Sequence, residues 1–254
     1  MKIWRDYELT VNGLVQQVRY NPSTVDNLFV PLLGKLVGIY RRTNRRVILF
    51  LVAPPATGKS TLTLFLEKLS LERDELVPVQ AVGMDGFHCR ADFIKNHFVT
   101  RDGKKLPMSQ VKGCPETFDV DKLRAKLSAL REGATAFPIY DRTIHDVVDD
   151  AVTVDGKIIL FKGNWLLLKD ERWQDLRQFA DYTLMIRADL SLLKQRLIQR
   201  KVQGGLSLDE ATAFVEHSDS YNVERTLNDS SPADETWQML ADNDYVMLHE
   251  GGTH

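Results

Sequence analysis

The chain has 254 residues, 43% of them hydrophobic, which suits one sizeable α/β domain with a filled core. Lysine and arginine total 33 against 35 acidic residues, a net charge of −2, so there is no basic excess of the kind that marks a nucleic-acid binder. Two cysteines, Cys89 and Cys114, are too few for a disulfide framework, the first residues lack a signal-peptide stretch and no apolar run exceeds strand length, so a cytoplasmic protein with reduced thiols and no membrane span is expected.

Residues 8–20 alternate about Asn12-Gly13 and predict a β-hairpin whose buried face is Leu9, Val11, Val15 and Val18. Residues 25–41 place Leu28, Leu32, Leu36, Ile39 and Tyr40 at helical spacing, with Asp26 as the cap and Pro31 in the early turns. Residues 46–53 predict a central strand buried on both faces. A helix follows to about Leu69, and a second strand over Val77 to Val82 delivers Met84-Asp85-Gly86-Phe87-His88 at its C-terminal end. In open α/β sheets ligands bind at that end.

Residues 90–118 read as a long irregular loop, and loops of that length are usually functional. Asp119 stands where a helix N-cap belongs, ahead of the stripe Leu123, Leu127 and Leu130 that Gly133 ends. Strands are predicted at Ala136 to Tyr140, Lys157 to Phe161 and Asp181 to Ile186. Residues 191–203 form a basic helix with Lys194, Arg196, Arg200 and Lys201, and Ser207 to Glu210 is a capping box. Gly251 to His254 reads as a disordered tail. The alternation predicts a mostly parallel sheet with helices on both faces in a single domain, 1–254. A hairpin segment occupies 1–24 and a lid region 191–217.

The octet Ala53-Pro54-Pro55-Ala56-Thr57-Gly58-Lys59-Ser60 sits between the buried strand and the helix, the setting of a phosphate-binding P-loop. Its backbone N–H groups, with Thr61 just beyond, would wrap phosphates. Lys59 would reach the outer ones, and the Ser60 hydroxyl would serve Mg²⁺. Ala53 replaces the usual first glycine, so the loop must use backbone angles that alanine allows. No Asn-Lys-x-Asp guanine motif is present, which disfavours a GTPase switch.

Met84 to His88, Gly113-Cys114-Pro115-Glu116-Thr117-Phe118-Asp119 and Pro138-Ile139-Tyr140-Asp141-Arg142 resemble, in order, motifs of the uridine kinase, pantothenate kinase and phosphoribulokinase superfamily. The P-loop beginning Ala-Pro-Pro, Gly163 to Leu168 and Asn222 to Arg225 resemble its bacterial nucleoside/nucleotide kinase-like, or fructose-transport-system kinase-like, subgroup. The resemblance covers roughly residues 5–230 and implies a P-loop kinase using ATP and Mg²⁺ on a hydroxyl of a sugar, nucleoside or pantothenate-like acceptor.

It implies that Asp85 is the catalytic carboxylate and that His88, Glu116, Tyr140 and Arg142 face the acceptor. Arg196 and Arg200 would belong to a basic lid over the phosphates. Each has a blander reading: a turn cap for Asp85, packing for His88 and Tyr140, a solvated face for the basic helix. The pattern breaks at Lys162, where the superfamily usually carries a Glu that serves Mg²⁺. That charge reversal motivates a second reading, a nucleotide-binding sensor with weak or no phosphoryl transfer. The expected partner is a small molecule rather than nucleic acid or membrane, and a homodimer is left open.

Overall fold

The computed structural model describes residues 2–11, 14–101 and 103–248; the Asn12-Gly13 turn and the tail at 251–254 lie outside them. The hairpin forms as β1 (Arg5–Val11) paired antiparallel with β2 (Leu14–Tyr20), Tyr7 opposite Val18. Tyr7 and Tyr20 pack on Phe65, with ring centroids 4.7 and 4.2 Å away, and Leu9 is buried. Val15 is not part of that face: it is 64% exposed, opposite Thr10. Side chains alternate along a strand, and Val15 lies an odd number of positions from Val18.

A continuous helix follows as α1 (Pro22–Thr24), a π-turn at Val25–Phe29 and α2 (Val30–Thr43). Asn21, not Asp26, caps it. The Asn21 side chain accepts from the Ser23 N–H at 3.0 Å, and Pro22 starts the helix where a missing N–H costs nothing. Asp26 instead meets Arg73 at 3.1 Å. Pro31 has no N–H to donate back, and the helix widens into the π-turn just ahead of it instead of breaking.

Next come β3 (Val47–Val52), the phosphate loop, α3 (Lys59–Leu71) and β4 (Val79–Gly83). The stretch read as irregular carries structure of its own: α4 (Ala91–Asn96) and a hairpin of β5 (Phe98–Arg101) with β6 (Lys104–Pro107). Ile94, Val99, Met108, Val111 and Cys114 form its small core. The Asp119 side chain accepts from the Lys122 N–H at 2.9 Å and caps α5 (Val120–Glu132), which ends at Gly133. Then β7 (Thr135–Asp141) pairs antiparallel with an unanticipated β8 (Asp146–Val154).

The chain continues through β9 (Ile158–Gly163), β10 (Tyr182–Arg187), α6 (Leu190–Gln203) and α7 (Leu208–Phe214), the last opened by the Ser207–Glu210 capping box. A second π-turn at Val215–Asp219 leads into α8 (Ser220–Asn228), β11 (Glu235–Met239) and β12 (Tyr245–Leu248). No described helix is long and apolar enough to cross a membrane.

The central sheet has the order β12-β11-β10-β3-β9-β4, parallel except for β12 on β11. Alternate residues of its inner strands feed two separate cores. Val47, Leu49, Leu51, Ile158 and Leu160 join the core that holds Leu62, Phe65 and Leu66 of α3. Ile48, Phe50, Val52, Ile159 and Phe161 join the core of Leu123, Leu127 and Trp165. Both faces are covered, which is why β3 and the first four residues of β9 are apolar without interruption. The architecture is the P-loop α/β fold with an added N-terminal hairpin.

One polar anchor holds the N-terminal end of β3. The buried Asp181 carboxylate accepts from the Ile48 N–H at 2.8 Å and meets Arg45 at 2.6 Å and Arg131 at 2.8 Å. Asp181→Ala leaves those donors unmatched and should lower stability by about 2–4 kcal/mol. A shift in the urea midpoint at unchanged slope would measure it.

Candidate active site

The phosphate loop leaves the buried end of β3. Ala53 is fully buried, donates its N–H to Gly163 O at 3.3 Å, and takes no positive φ. The left-handed angles fall on Ala56 (φ 70°) and Gly58 (φ 77°). A left-handed alanine costs roughly 1 kcal/mol, strain held in a loop that lines a cavity. Thr57 Oγ1 and Lys59 Nζ both donate to Pro54 O, at 2.9 and 3.0 Å. The N-terminus of α3 opens at Ser60 and Thr61, so free N–H groups and the positive end of a 13-residue helix address one spot.

That spot borders a cavity of about 580 Å³ at the C-terminal ends of β3, β4 and β9, where an open α/β sheet binds ligands. Five basic side chains line it, Lys59, Arg142, Lys162, Arg196 and Arg200, against one carboxylate, Asp85. Arg196 is fixed by Ala56 O at 3.2 Å and by the Asn243 side chain. The Asp85 side chain is exposed, and among the described residues nothing hydrogen-bonds its carboxylate. An uncompensated cationic basin with one free carboxylate on its lip suits a polyphosphate and a hydroxyl beside it.

Burial, with lesser contributions from Lys162 and Arg200, pulls Lys59 down to about 7, and Asp85 only partly opposes it. The unfolded chain therefore holds the extra proton between about pH 7 and the ordinary value of 10.5. The free protein gains stability from this group as pH rises through that window, and below pH 7 the full cost of the buried charge is present. A bound polyphosphate reverses the bias. ATP binding at pH 8–9 should take up about one proton at Lys59, falling towards zero below pH 6 once uptake by the nucleotide itself is subtracted. Calorimetric titration in buffers of differing ionisation enthalpy measures it.

Lys162 occupies the position where a metal-serving carboxylate was expected. Its Nζ donates to Ser60 Oγ at 2.6 Å. A divalent cation ligated by the same oxygen at ~2.1 Å would stand within ~5 Å of the ammonium and be repelled by roughly 7 kcal/mol at an effective dielectric constant near 20. Asp85 is the one carboxylate lining the cavity. The residues present therefore do not fit the Mg²⁺ expected at Ser60. Burial lowers the Lys162 pKa, Asp85 raises it and Arg142 lowers it further.

A second cavity of about 460 Å³ holds two of the four residues expected to face an acceptor, His88 and Glu116, with Arg90, Phe93, Lys122 and Arg172. His88 Nδ1 pairs with Asp85 O at 2.8 Å, so one turn places Asp85 in the first cavity and His88 in the second. Arg142 lines the phosphate cavity instead. Tyr140 contributes to neither lining; its ring is 5.4 Å from that of His88 and its hydroxyl accepts from Lys112 at 2.6 Å.

Burial pushes the Glu116 carboxyl up, yet Arg225 at 2.8 Å and the Cys114 thiol bring it below its ordinary value. The Cys114 thiol is in turn pushed up to about 12 by burial and by Glu116. Arg225 also meets Asp170 at 3.0 Å. The Asn222 to Arg225 segment was legible only as a family marker, and its function as the brace of Glu116 was not. A third cavity of about 310 Å³ shares Gly58, Thr61 and Arg196 with the lining of the first and is lined further by Trp4, Gln17, Asn243 and Tyr245. Thr57, Gly58, Thr61 and Arg196 of its lining were anticipated as phosphate-site residues; Trp4, the hairpin residues 17–20 and Asp242, Asn243 and Tyr245 were not.

No protein-family model matches the chain. The uncharacterized protein YggC of Escherichia coli K12 is 41% identical over 239 residues, 94% of this chain and 97% of that one. A candidate uridine kinase of Schizosaccharomyces pombe is 29% identical over 180 residues, 69% of this chain and 74% of that one. The crystal structure of a candidate fructose transport system kinase from Silicibacter sp. TM1040 superposes with a TM-score of 0.72 at 29% identity, over 84% of this chain and 98% of that one.

Proposed function

The chain belongs to the superfamily of P-loop kinases that contains uridine kinase, pantothenate kinase and phosphoribulokinase, and on that premise we propose that it transfers the γ-phosphoryl group of ATP to a hydroxyl of a small molecule. The supporting observation is the Asp85–His88 turn, which sets a free carboxylate on the lining of a cationic cavity and His88, three residues on, on the lining of a mixed-charge one. Phosphates would lie on the loop amides, Lys59, Arg196 and Arg200. The acceptor hydroxyl, entering past His88 and Glu116, would lose its proton to Asp85 as its oxygen bonds to the γ-phosphorus and the bond to ADP breaks.

Glu116, Asp119, Arg90 and Arg172 offer both acceptors and donors, which suits a sugar, a nucleoside or a pantothenate-like alcohol. Enzymes of this superfamily use ATP, generally with Mg²⁺. The nucleoside end of ATP would lie in the third cavity, which shares Gly58, Thr61 and Arg196 with the phosphate site. ADP release measured against a panel of sugars, nucleosides and pantothenate tests the proposal. An acceptor-dependent rate is expected from at least one member; intact ATP binding with none would overturn it.

The contact between Lys162 and Ser60 favours one other reading, a nucleotide-binding sensor that transfers little phosphate. Under it, Lys162→Glu would create or strongly raise turnover with Mg²⁺ present, whereas ordinary kinase turnover by the wild type would end it.

A further inference from the structure

We propose that the Lys162 ammonium supplies, as a fixed part of the chain, the positive charge that a divalent cation at the P-loop hydroxyl would otherwise bring, so that nucleoside triphosphate binds without divalent metal. This rests on the cavity at Lys59 being a triphosphate site, which both functional readings share.

Strand geometry aims the side chain. Ile158, Leu160 and Lys162 alternate onto one face of β9, the face covered by α3, whose first turn carries Ser60. The register holds Lys162 between Gly83 of β4 and Leu51 of β3, so its Cα has no freedom to withdraw. Gly83 clears the path of the stem: a Cβ there would come within 3.1 Å of Lys162 Cε and 3.5 Å of its Nζ. The Nζ then reaches Ser60 Oγ at 2.6 Å. An ammonium has three N–H donors. One is spent on Ser60, and among the described residues no other acceptor takes the remaining two, which leaves them for phosphate oxygens beside Lys59 and Arg200.

One ammonium carries half the charge of Mg²⁺, and Arg142, Arg196 and Arg200 line the same cavity to supply more. The arrangement also predicts a preference. Uncomplexed ATP offers its full charge to the basic side chains of the cavity, whereas Mg-bound ATP brings a cation into a site already occupied by one.

Titration calorimetry of the intact protein with ATP, once in excess EDTA and once in excess Mg²⁺, tests this. The wild type should bind ATP in EDTA within about threefold of its affinity in Mg²⁺, or more tightly. Lys162→Met should weaken the EDTA affinity by about 10–100-fold, the loss of one charge-assisted hydrogen bond to phosphate. Lys162→Glu should bind only when Mg²⁺ is present. A wild type that requires Mg²⁺ by tenfold or more overturns the inference and leaves the kinase reading standing; that comparison needs no variant to fold. Absence of ATP binding in both solutions overturns the triphosphate site itself, and this inference with it.

Discussion

Asp85→Asn is expected to lower acceptor-dependent ADP formation by about 10²–10⁴-fold, the usual scale for losing a positioned general base. ATP affinity should hold or rise by up to about tenfold, because the substitution removes the single carboxylate facing five basic side chains. The two changes move in opposite directions, which separates catalysis from structure. If Asp85 only capped its turn, the variant would lose thermal stability and its turnover and ATP affinity would fall together. The turn itself does not need the carboxylate: the Asp85 carbonyl, a backbone group, accepts from the His88 N–H and the His88 ring.

Gly86→Ala is the second large effect. A Cβ there would fall 2.0 Å from Pro138 O, 2.4 Å from Pro138 C and 2.8 Å from Ile139 N, all backbone atoms of β7. Nothing in that contact can rotate away, so either the Asp85–His88 turn or β7 must move. We expect a loss of more than about 3 kcal/mol in stability and at least ~100-fold in turnover, read by thermal melting and by the ADP assay. Gly163→Ala provides the contrast. Its Cβ would meet Met84 Sδ at 2.2 Å and Leu166 Cγ at 2.9 Å, side chains able to give way, so a loss of about 1–3 kcal/mol is expected. Equal losses in the two variants would show that β7 does not hold the turn.

The parts of this fold legible in the sequence are those where one local signal decides. The apolar run of β3, the Gly58-Lys59-Ser60 triplet, the Asp119 cap, the Gly133 stop and the Ser207 capping box all stand where expected. β8 was hidden because its exposed acids, Asp149 and Asp150, match partners far along the chain: Arg90, Lys122 and Lys126. The hairpin face was misjudged at Val15 because a valine on an exposed strand face looks, in sequence, like one facing the core. Asp26 was misread as a cap since Asn21-Pro22 starts the helix earlier.

In the site, Lys162 was visible as an anomaly, yet its target, Ser60, is 102 positions away and no spacing rule connects them. The same holds for Arg225 and Glu116. Motifs of unexplained purpose prove to be packing partners: Gly163 is small because Met84 lies on it, and Trp165 donates to Gly113 O at 3.1 Å.

Asp244 takes the end of β11–β12 and ties it to the start of the chain, accepting from Thr24 at 2.6 Å and Asn21 at 3.2 Å and meeting Lys2 at 3.0 Å. Around that knot the N-terminal hairpin and the Asn243–Tyr245 segment become two walls of the third cavity. A nucleoside held there would bridge segments some 220 positions apart, so local opening of the hairpin would require release of the ligand. Occupancy of the site should then be visible without any assay of turnover, as slowed amide hydrogen exchange at residues 17–20 and 243–245 together.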